Sequence, residues 1–210
     1  MRKPGLCLLL IIILHFTGYS QDRQTFPLIV SISNNASLMP GKGYLGIFTV
    51  PVHPGGAVGT RITLKEWEKS SLYESFMLGG YYHKYSQLAF ELYSELIYQQ
   101  RFGAFALEPQ FHAGYMMAFS DIQEFKLEGE GYQKDNFTGK SRFLSGIGLG
   151  LSWTFNEGKD NPVKVNLAYL VNLQLPFVKN YAPVLIITSL QAGAVFNIPC
   201  KKMKTASVTE

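Results

Sequence analysis

The stretch FGAFALEPQFHAGYMM, residues 102–117, divides its side chains into two chemically different sets. Counted in steps of two, one set is entirely apolar or aromatic and contains Phe105, Leu107, Pro109, Phe111, Ala113, Tyr115 and Met117. The interleaved set contains Glu108, Gln110 and His112. Because successive residues of a β-strand point to opposite faces, the stretch predicts a strand with one apolar and one polar face.

The same alternation continues along the chain. It recurs from Leu88, Phe143, Val163 and Ile186, with Ser94 as an exception on the apolar face. Gly, Pro and Asn-rich turns separate these segments. The pattern predicts eight strands, at residues 43–52, 56–65, 71–84, 86–100, 102–117, 141–155, 163–175 and 184–198.

The apolar faces of these strands have two possible environments, a protein core or lipid. Most of the segments are longer than the roughly 5–6 residues of a soluble strand and match the ~9–11 residues that cross a bilayer. Their polar faces carry mainly Gly, Ala, Ser, Asn and Gln, which suit the narrow interior of an eight-stranded barrel. The sequence therefore predicts an all-β, antiparallel, up-and-down transmembrane barrel. The alternative is a soluble, secreted, lipocalin-like carrier with its apolar face inward.

Aromatic residues near the strand ends support the membrane interpretation. In a membrane barrel such residues form girdles at the two interfaces. The predicted girdle residues are Tyr81, Tyr82, Tyr98, Phe102, Tyr115, Trp153, Phe155 and Phe177.

The amino terminus has the layout of a secretory signal peptide. Arg2 and Lys3 precede an apolar run over residues 6–14, and Gly18-Tyr19-Ser20 precedes a cleavage point before Gln21. We therefore predict a signal peptide at 1–20, an exposed lead-in at 21–42, the barrel at 43–198 and a polar tail at 199–210.

Charge and cysteine content limit the functional classes. Removal of Arg2 and Lys3 lowers the formal charge from +4 to +2, and the tail carries this remaining excess. A near-neutral body argues against nucleic acid as a partner. Cys200 is the single cysteine after cleavage, so an internal disulfide is not possible.

The repeated strand pattern, the stretch PVHPGGAVGTRITL at 51–64 and the closing strand LQAGAVFNI at 190–198 resemble the small eight-stranded outer-membrane β-barrels of Gram-negative bacteria. The resemblance implies an outer-membrane location, a periplasmic amino terminus, insertion by the barrel-assembly machinery, and contact with outer-membrane lipid and lipopolysaccharide. The chain departs from the family at its end. Members commonly finish on an aromatic residue of the last strand, whereas PCKKMKTASVTE follows Ile198 here.

The polar faces contain a set of ionisable residues that we predict to form a charge network in the lumen. The set comprises Arg61, Glu91, Glu95, Glu108, His112 and Lys164. It suits either a salt-bridged plug or an ion-lined channel, and the narrow interior of eight strands favours the plug. Since enclosed charges need partners, we expect Arg61 to neutralise one of the three glutamates.

The connection 118–140 is the longest predicted loop, and its residues 121–140 carry five acids and three lysines. We predict an interaction or structural protein that contacts a partner through such loops. The alternatives are a narrow channel for small solutes and a lipid-modifying outer-membrane enzyme. His83 with Ser86, and His53, are the candidate catalytic groups, but no carboxylate stands beside them in the sequence. Glu108 and His112 are ~13 Å apart along a strand, so no metal or cofactor site is predicted.

Overall fold

The structure is a computed structural model that describes residues 25–37, 52–84, 86–121, 125–128, 131–134, 139–155, 162–177 and 183–199. The predicted signal peptide, residues 43–51 of the first predicted strand and residues 200–210 of the tail lie outside these ranges. The chain divides into two compact units, Pro27–Asn197 and the terminal segments Met1–Phe26 with Ile198–Glu210. The barrel considered below is the first unit.

Ten strands are described. They are β1 (Thr25–Ser37), β2 (Pro54–Glu66), β3 (Ser70–His83), β4 (Gln87–Phe102), β5 (Phe105–Ser120), β6 (Phe125–Glu128), β7 (Gly131–Lys134), β8 (Lys140–Phe155), β9 (Val163–Leu175) and β10 (Leu185–Pro199). Eight of them form a closed barrel in the order β1-β10-β9-β8-β5-β4-β3-β2, while β6 and β7 form a separate two-stranded sheet. Neighbours with a described register pair antiparallel. The predicted eight-stranded, up-and-down architecture is confirmed.

The position of the first strand differs from the prediction. Residues 25–37, expected to belong to an exposed lead-in, form β1 and pair with β2 from Leu28 opposite Thr60 to Asn34 opposite Pro54. Asn34 and Asn35 lie in the stretch predicted to be an exposed lead-in, but both side chains bind the backbone of His53. Asparagine competes for backbone groups in this way, so its presence did not exclude a strand end. The other seven barrel strands lie within a few residues of their predicted bounds.

The barrel has a polar interior and an apolar outer wall. On β5, Glu108 and His112 are buried at 4% and 2% exposure, whereas Phe105 and Phe111 are each 50% exposed. Leu92, Ile147 and Leu167 on other strands are likewise exposed. The outer wall is therefore suited to hydrocarbon, as predicted from the opening stretch. The alternative of a soluble carrier with an inward apolar face is contradicted, because the apolar face points outward.

Two predicted girdle residues lie elsewhere. Tyr81 is buried in the lumen, where its hydroxyl accepts a hydrogen bond from Gln87. Phe177 packs against the buried apolar cluster, beneath the Arg142 guanidinium. The other six predicted girdle aromatics are exposed: Tyr82, Tyr98, Phe102, Tyr115, Trp153 and Phe155.

A lipid-facing carboxylate interrupts the apolar wall. Glu74 on β3 has the outward parity of Leu72 and Leu78, and its Oε1 accepts a hydrogen bond from Ser94 Oγ at 3.0 Å. Ser94 is the residue that broke the alternation of β4 in the sequence. Unpaired polar groups cost free energy in hydrocarbon, and this hydrogen bond satisfies part of the requirement of both side chains.

Glycines on β8 make room for long side chains from β5. Gly146, Gly148 and Gly150 stand directly opposite His112, Gln110 and Glu108 in the antiparallel register. A Cβ at Gly146 would approach the His112 ring. The sequence thus places its bulky polar groups on one strand and supplies their space on the next.

Connection lengths distinguish the two ends of the barrel. The short-turn end holds the connections 67–69, 103–104 and 156–162. Its tightest turn contains Gly103 at φ 65°, a conformation that favours glycine. The long-connection end holds the segments 38–53, 84–86, 121–139 and 176–184. The predicted longest loop joins the fifth and sixth barrel strands, as expected, and contains the β6–β7 hairpin.

Among the described residues, no helix has the length and apolar character required to cross a membrane.

Candidate functional site in the barrel lumen

The best-connected charged site in the lumen is centred on one oxygen of Glu108. Its Oε1 lies 2.6 Å from Lys164 Nζ and accepts hydrogen bonds from Gln99 Nε2 at 2.7 Å and Ser152 Oγ at 2.8 Å. These partners come from β9, β4 and β8, so the site connects four barrel strands. All four residues are buried. Hydrogen bonds to the same carboxylate oxygen reduce the cost of burying this ion pair.

Arg61 lies in the same half of the lumen. Its guanidinium carbon is 4.5 Å from the centre of the Tyr73 ring, and the Tyr73 hydroxyl donates to Gln99 at 3.2 Å. Arg61 also lines a cavity of about 30 Å³ together with Glu95 and other members of the network. The structure thus brings Arg61 close to the carboxylates, and its neutralisation of one of them stays a prediction.

Glu91 and His112 lie around a second cavity of about 30 Å³. The His112 ring is tilted against Tyr93 at a centroid distance of 5.6 Å. Within the described part of the chain, His112 Nδ1 and Glu95 Oε1 have no hydrogen-bond partner although both atoms are buried. Each cavity has room for one water molecule, which buried polar atoms of this kind require.

The six predicted network residues therefore divide between two neighbouring regions. Arg61, Glu95, Glu108 and Lys164 surround one cavity, and Glu91 and His112 line the other. Ser31 and Gln191 border both cavities and are hydrogen-bonded to each other at 2.7 Å. No group of three potential metal ligands from His, Cys, Asp and Glu occurs in the described ranges.

A second polar network, which the sequence analysis missed, crosses the lumen nearer the long-connection end. Arg142 Nη1 donates to Gln87 Oε1 at 2.6 Å, and the Gln87 amide lies 2.9 Å from that of Gln174. The parity of β8 identifies Arg142 as inward, because it lies two residues before Leu144 on the polar face. Gln87 and Gln174 lie 87 residues apart in the sequence, and strand parity does not indicate that they meet.

An apolar cluster extends from this half of the lumen to Ile29 and Val195, which line the cavity beside Arg61. Met77, Met116, Leu144 and Ile187 are each at most 2% exposed. Together with the two polar networks, these side chains fill the interior except for small cavities and a recess at the short-turn end. The arrangement is a packed core inside a membrane barrel, as the narrow cross-section of eight strands requires.

The candidate catalytic histidines meet at the long-connection end. The rings of His53 and His83 are stacked, with centroids 3.7 Å apart and planes 8° apart. His83 Nδ1 lies 3.1 Å from the carbonyl oxygen of Lys84, and Ser86 N donates to the carbonyl oxygen of His83. The stacked faces pack the two rings against each other at this end of the barrel.

These observations determine the class of protein. The barrel is closed, antiparallel and even-stranded, with an apolar outer wall and a filled polar lumen, which is the arrangement of small outer-membrane barrels. The chain is an outer-membrane β-barrel. Its predicted architecture and location are confirmed.

Comparisons with known proteins add likenesses of fold. No family model matches the sequence, and no curated protein is similar to it. Neisserial surface protein A aligns with a TM-score of 0.49 at 13% identity, over 81% of this chain and 96% of that one. Ail, the attachment invasion locus protein of Yersinia pestis, solved with the heparin analogue sucrose octasulfate, aligns at 0.42 and 14%, over 83% and 97%. The outer membrane enzyme PagL aligns at 0.42 and 12%, over 82% and 99%.

Proposed function

We propose that this protein is a sealed outer-membrane barrel that works by binding at its long-connection end. The filled lumen supports the proposal most directly. The Glu108 and Arg142 networks cross the interior in different halves, and the two cavities of the Glu91–Glu95 region are each only about 30 Å³. Such spaces hold single waters rather than a continuous solute path.

The long-connection end supplies the surface for binding. Segments 38–53 and 121–139 are the longest connections of the barrel, and the second contains its own β6–β7 hairpin. Long connections of outer-membrane barrels are extracellular, whereas the periplasmic turns are short. We therefore propose that this end faces outward and that the amino terminus is periplasmic.

The proposed partner is lipopolysaccharide or a surface protein that meets the mildly acidic connection 118–140. Acidic groups in that connection would bind divalent cations held between lipopolysaccharide phosphates, or basic patches of a protein. Insertion by the barrel-assembly machinery and contact with outer-membrane lipid belong to the same proposal.

Replacement of residues 121–139 by a short Gly-Ser turn tests the binding surface. The variant is expected to fold, because the hairpin sheet is separate from the barrel sheet. Binding to purified lipopolysaccharide in the presence of Ca²⁺, and crosslinking to neighbours on intact cells, should both fall severalfold. The matched control replaces 156–162 at the short-turn end. Equal binding by all three proteins would contradict a role for the long connection.

Planar-bilayer recording tests the seal. The purified protein should show no conductance steps, while an open porin recorded in parallel provides the positive control. Discrete, reproducible steps would instead favour the narrow-channel alternative.

We also propose that the protein does not modify lipid. The contacts of His83 support this, because its ring is stacked on His53 and its Nδ1 lies 3.1 Å from the carbonyl oxygen of Lys84. Mass spectrometry of lipid A and phospholipids should give the same species from deletion and parent strains. A species lost on deletion and restored by the wild-type gene, but not by His83→Ala, would contradict the proposal.

A further inference from the structure

A cavity of about 230 Å³ opens at the short-turn end of the lumen, away from the proposed binding surface. We call it the short-turn vestibule. Arg61, Arg101 and Lys164 line it, together with Gln99, Thr154 and Asn197. At about 30 Å³ per water molecule, its volume equals that of roughly seven or eight waters. The vestibule is thus far larger than the cavities deeper in the lumen.

The lining of the vestibule is cationic. It contains three basic side chains and no Asp or Glu. The nearest described carboxylates contact these cations from outside the cavity. Glu108 binds Lys164 from its buried side at 2.6 Å, and Glu66 lies 3.6 Å from Arg101 with 65% of its side chain exposed. An exposed pair of that length contributes little neutralisation.

The neutral groups on the walls suit the same type of ligand. Thr154 carries a hydroxyl donor, and guanidinium groups bind oxyanions through two parallel hydrogen bonds. The amides of Gln99 and Asn197 border the cavity but already donate to Glu108 and to the carbonyl oxygen of Pro162. Basic side chains that converge in a recess bounded by protein also concentrate the electric field there. A ligand with several negatively charged oxygens would satisfy more of these groups than water does.

We propose that the short-turn vestibule binds a small oxyanion of the phosphate or carboxylate class. Its dimensions admit inorganic phosphate or a small di- or tricarboxylate and exclude a polymer. The site is independent of the long-connection surface, so failure of either proposal leaves the other standing.

Titration of the full mature protein in a neutral detergent tests the site. Sodium phosphate is added at constant ionic strength against sodium chloride, and binding is followed by calorimetry. Saturable binding is expected, and Arg101→Gln should raise the Kd about tenfold or more, as the loss of a charge-assisted hydrogen bond predicts. Arg61→Gln should have a similar effect. Arg101 is partly exposed, so its variant tests the site even if Arg61→Gln fails to fold.

Lys69→Gln is the matched control, because it removes the same charge from the same end but does not line the vestibule. A response that does not saturate, or equal affinity in Arg101→Gln and Lys69→Gln, would overturn the proposal. Repeating the titration in nanodiscs distinguishes the source of the ligand. An unchanged Kd on adding phosphatidylglycerol to phosphatidylcholine assigns the site to a free anion, whereas a raised Kd assigns it to a lipid phosphate.

Discussion

Removal of the Lys164 ammonium tests the central ion pair of the lumen. Lys164→Met keeps the aliphatic volume but leaves Glu108 buried with only the Gln99 and Ser152 donors on its Oε1. Breaking a buried pair in this way costs about 3–5 kcal/mol, because one charge stays enclosed without its partner. Since two neutral donors remain, we expect a loss near the lower limit, about 3 kcal/mol.

The double variant Glu108→Gln/Lys164→Met separates the charge from the packing. The glutamine oxygen still accepts from Gln99 and Ser152, and neither member of the former pair carries a charge. We therefore expect the double variant to be within about 1 kcal/mol of the wild type, since replacing a whole buried pair is often nearly neutral. The two substitutions are then strongly non-additive, as contacting residues should be.

Urea unfolding in lipid vesicles, followed by the fluorescence of Trp67 and Trp153, gives the required free energies. Lys69→Met serves as the control, because Lys69 is an exposed turn residue. The reasoning is refuted if Lys164→Met costs less than about 1 kcal/mol, or if the double variant loses as much as the two single variants together.

Three further substitutions test other parts of the fold. Arg61→Ala should lower the unfolding temperature in detergent, because a lumen glutamate loses its neutralising charge, and an unchanged temperature would count against that role. Ile147→Arg, on the outer wall at 64% exposure, should destabilise the barrel in vesicles by about 2–4 kcal/mol, and Phe102→Arg at the strand end by about 1 kcal/mol or less. Heat-modifiable gel migration measures the folded fraction of each variant. Equal losses of stability in the two variants would contradict a bilayer centred near Ile147. Gly59→Ala should impair folding, since a Cβ there would collide with a backbone carbonyl of β3, whereas Gly150→Ala meets its nearest atom at 3.4 Å and should fold normally.

The sequence predicted the architecture because strand parity is a local property. Every second residue of β5 and β9 carries the same type of side chain, so the two faces were evident without knowledge of the partner strands. The inward positions of Glu95, Glu108, His112 and Lys164 followed from this parity, and the structure buries all four.

Partner choice within the lumen was not predictable in the same way. Which residues meet across the interior depends on strand register and on the stagger of the closed barrel, neither of which is encoded in a single strand. The structure shows Lys164 bound to Glu108, and Gln87 close to both Gln174 and Arg142. β1 was misplaced for a different, local reason, because Ile29 interrupts its inward polar set and two asparagines lie near its end.

The glycines of β8 leave space inside the lumen that side chains from the neighbouring strand β5 occupy. His112, Gln110 and Glu108 occupy space that their partners on β8 leave empty. A Cβ at Gly148 would collide with the Leu170 side chain of β9, and one at Gly146 would meet both the His112 ring and the backbone oxygen of Val171, so shortening the β5 partner alone would not make room at either position. Shortening the β5 side chains without a change on β8 would leave a water-filled gap along one wall. Along this wall the lumen is therefore filled by side chains from β5, while β8 contributes space.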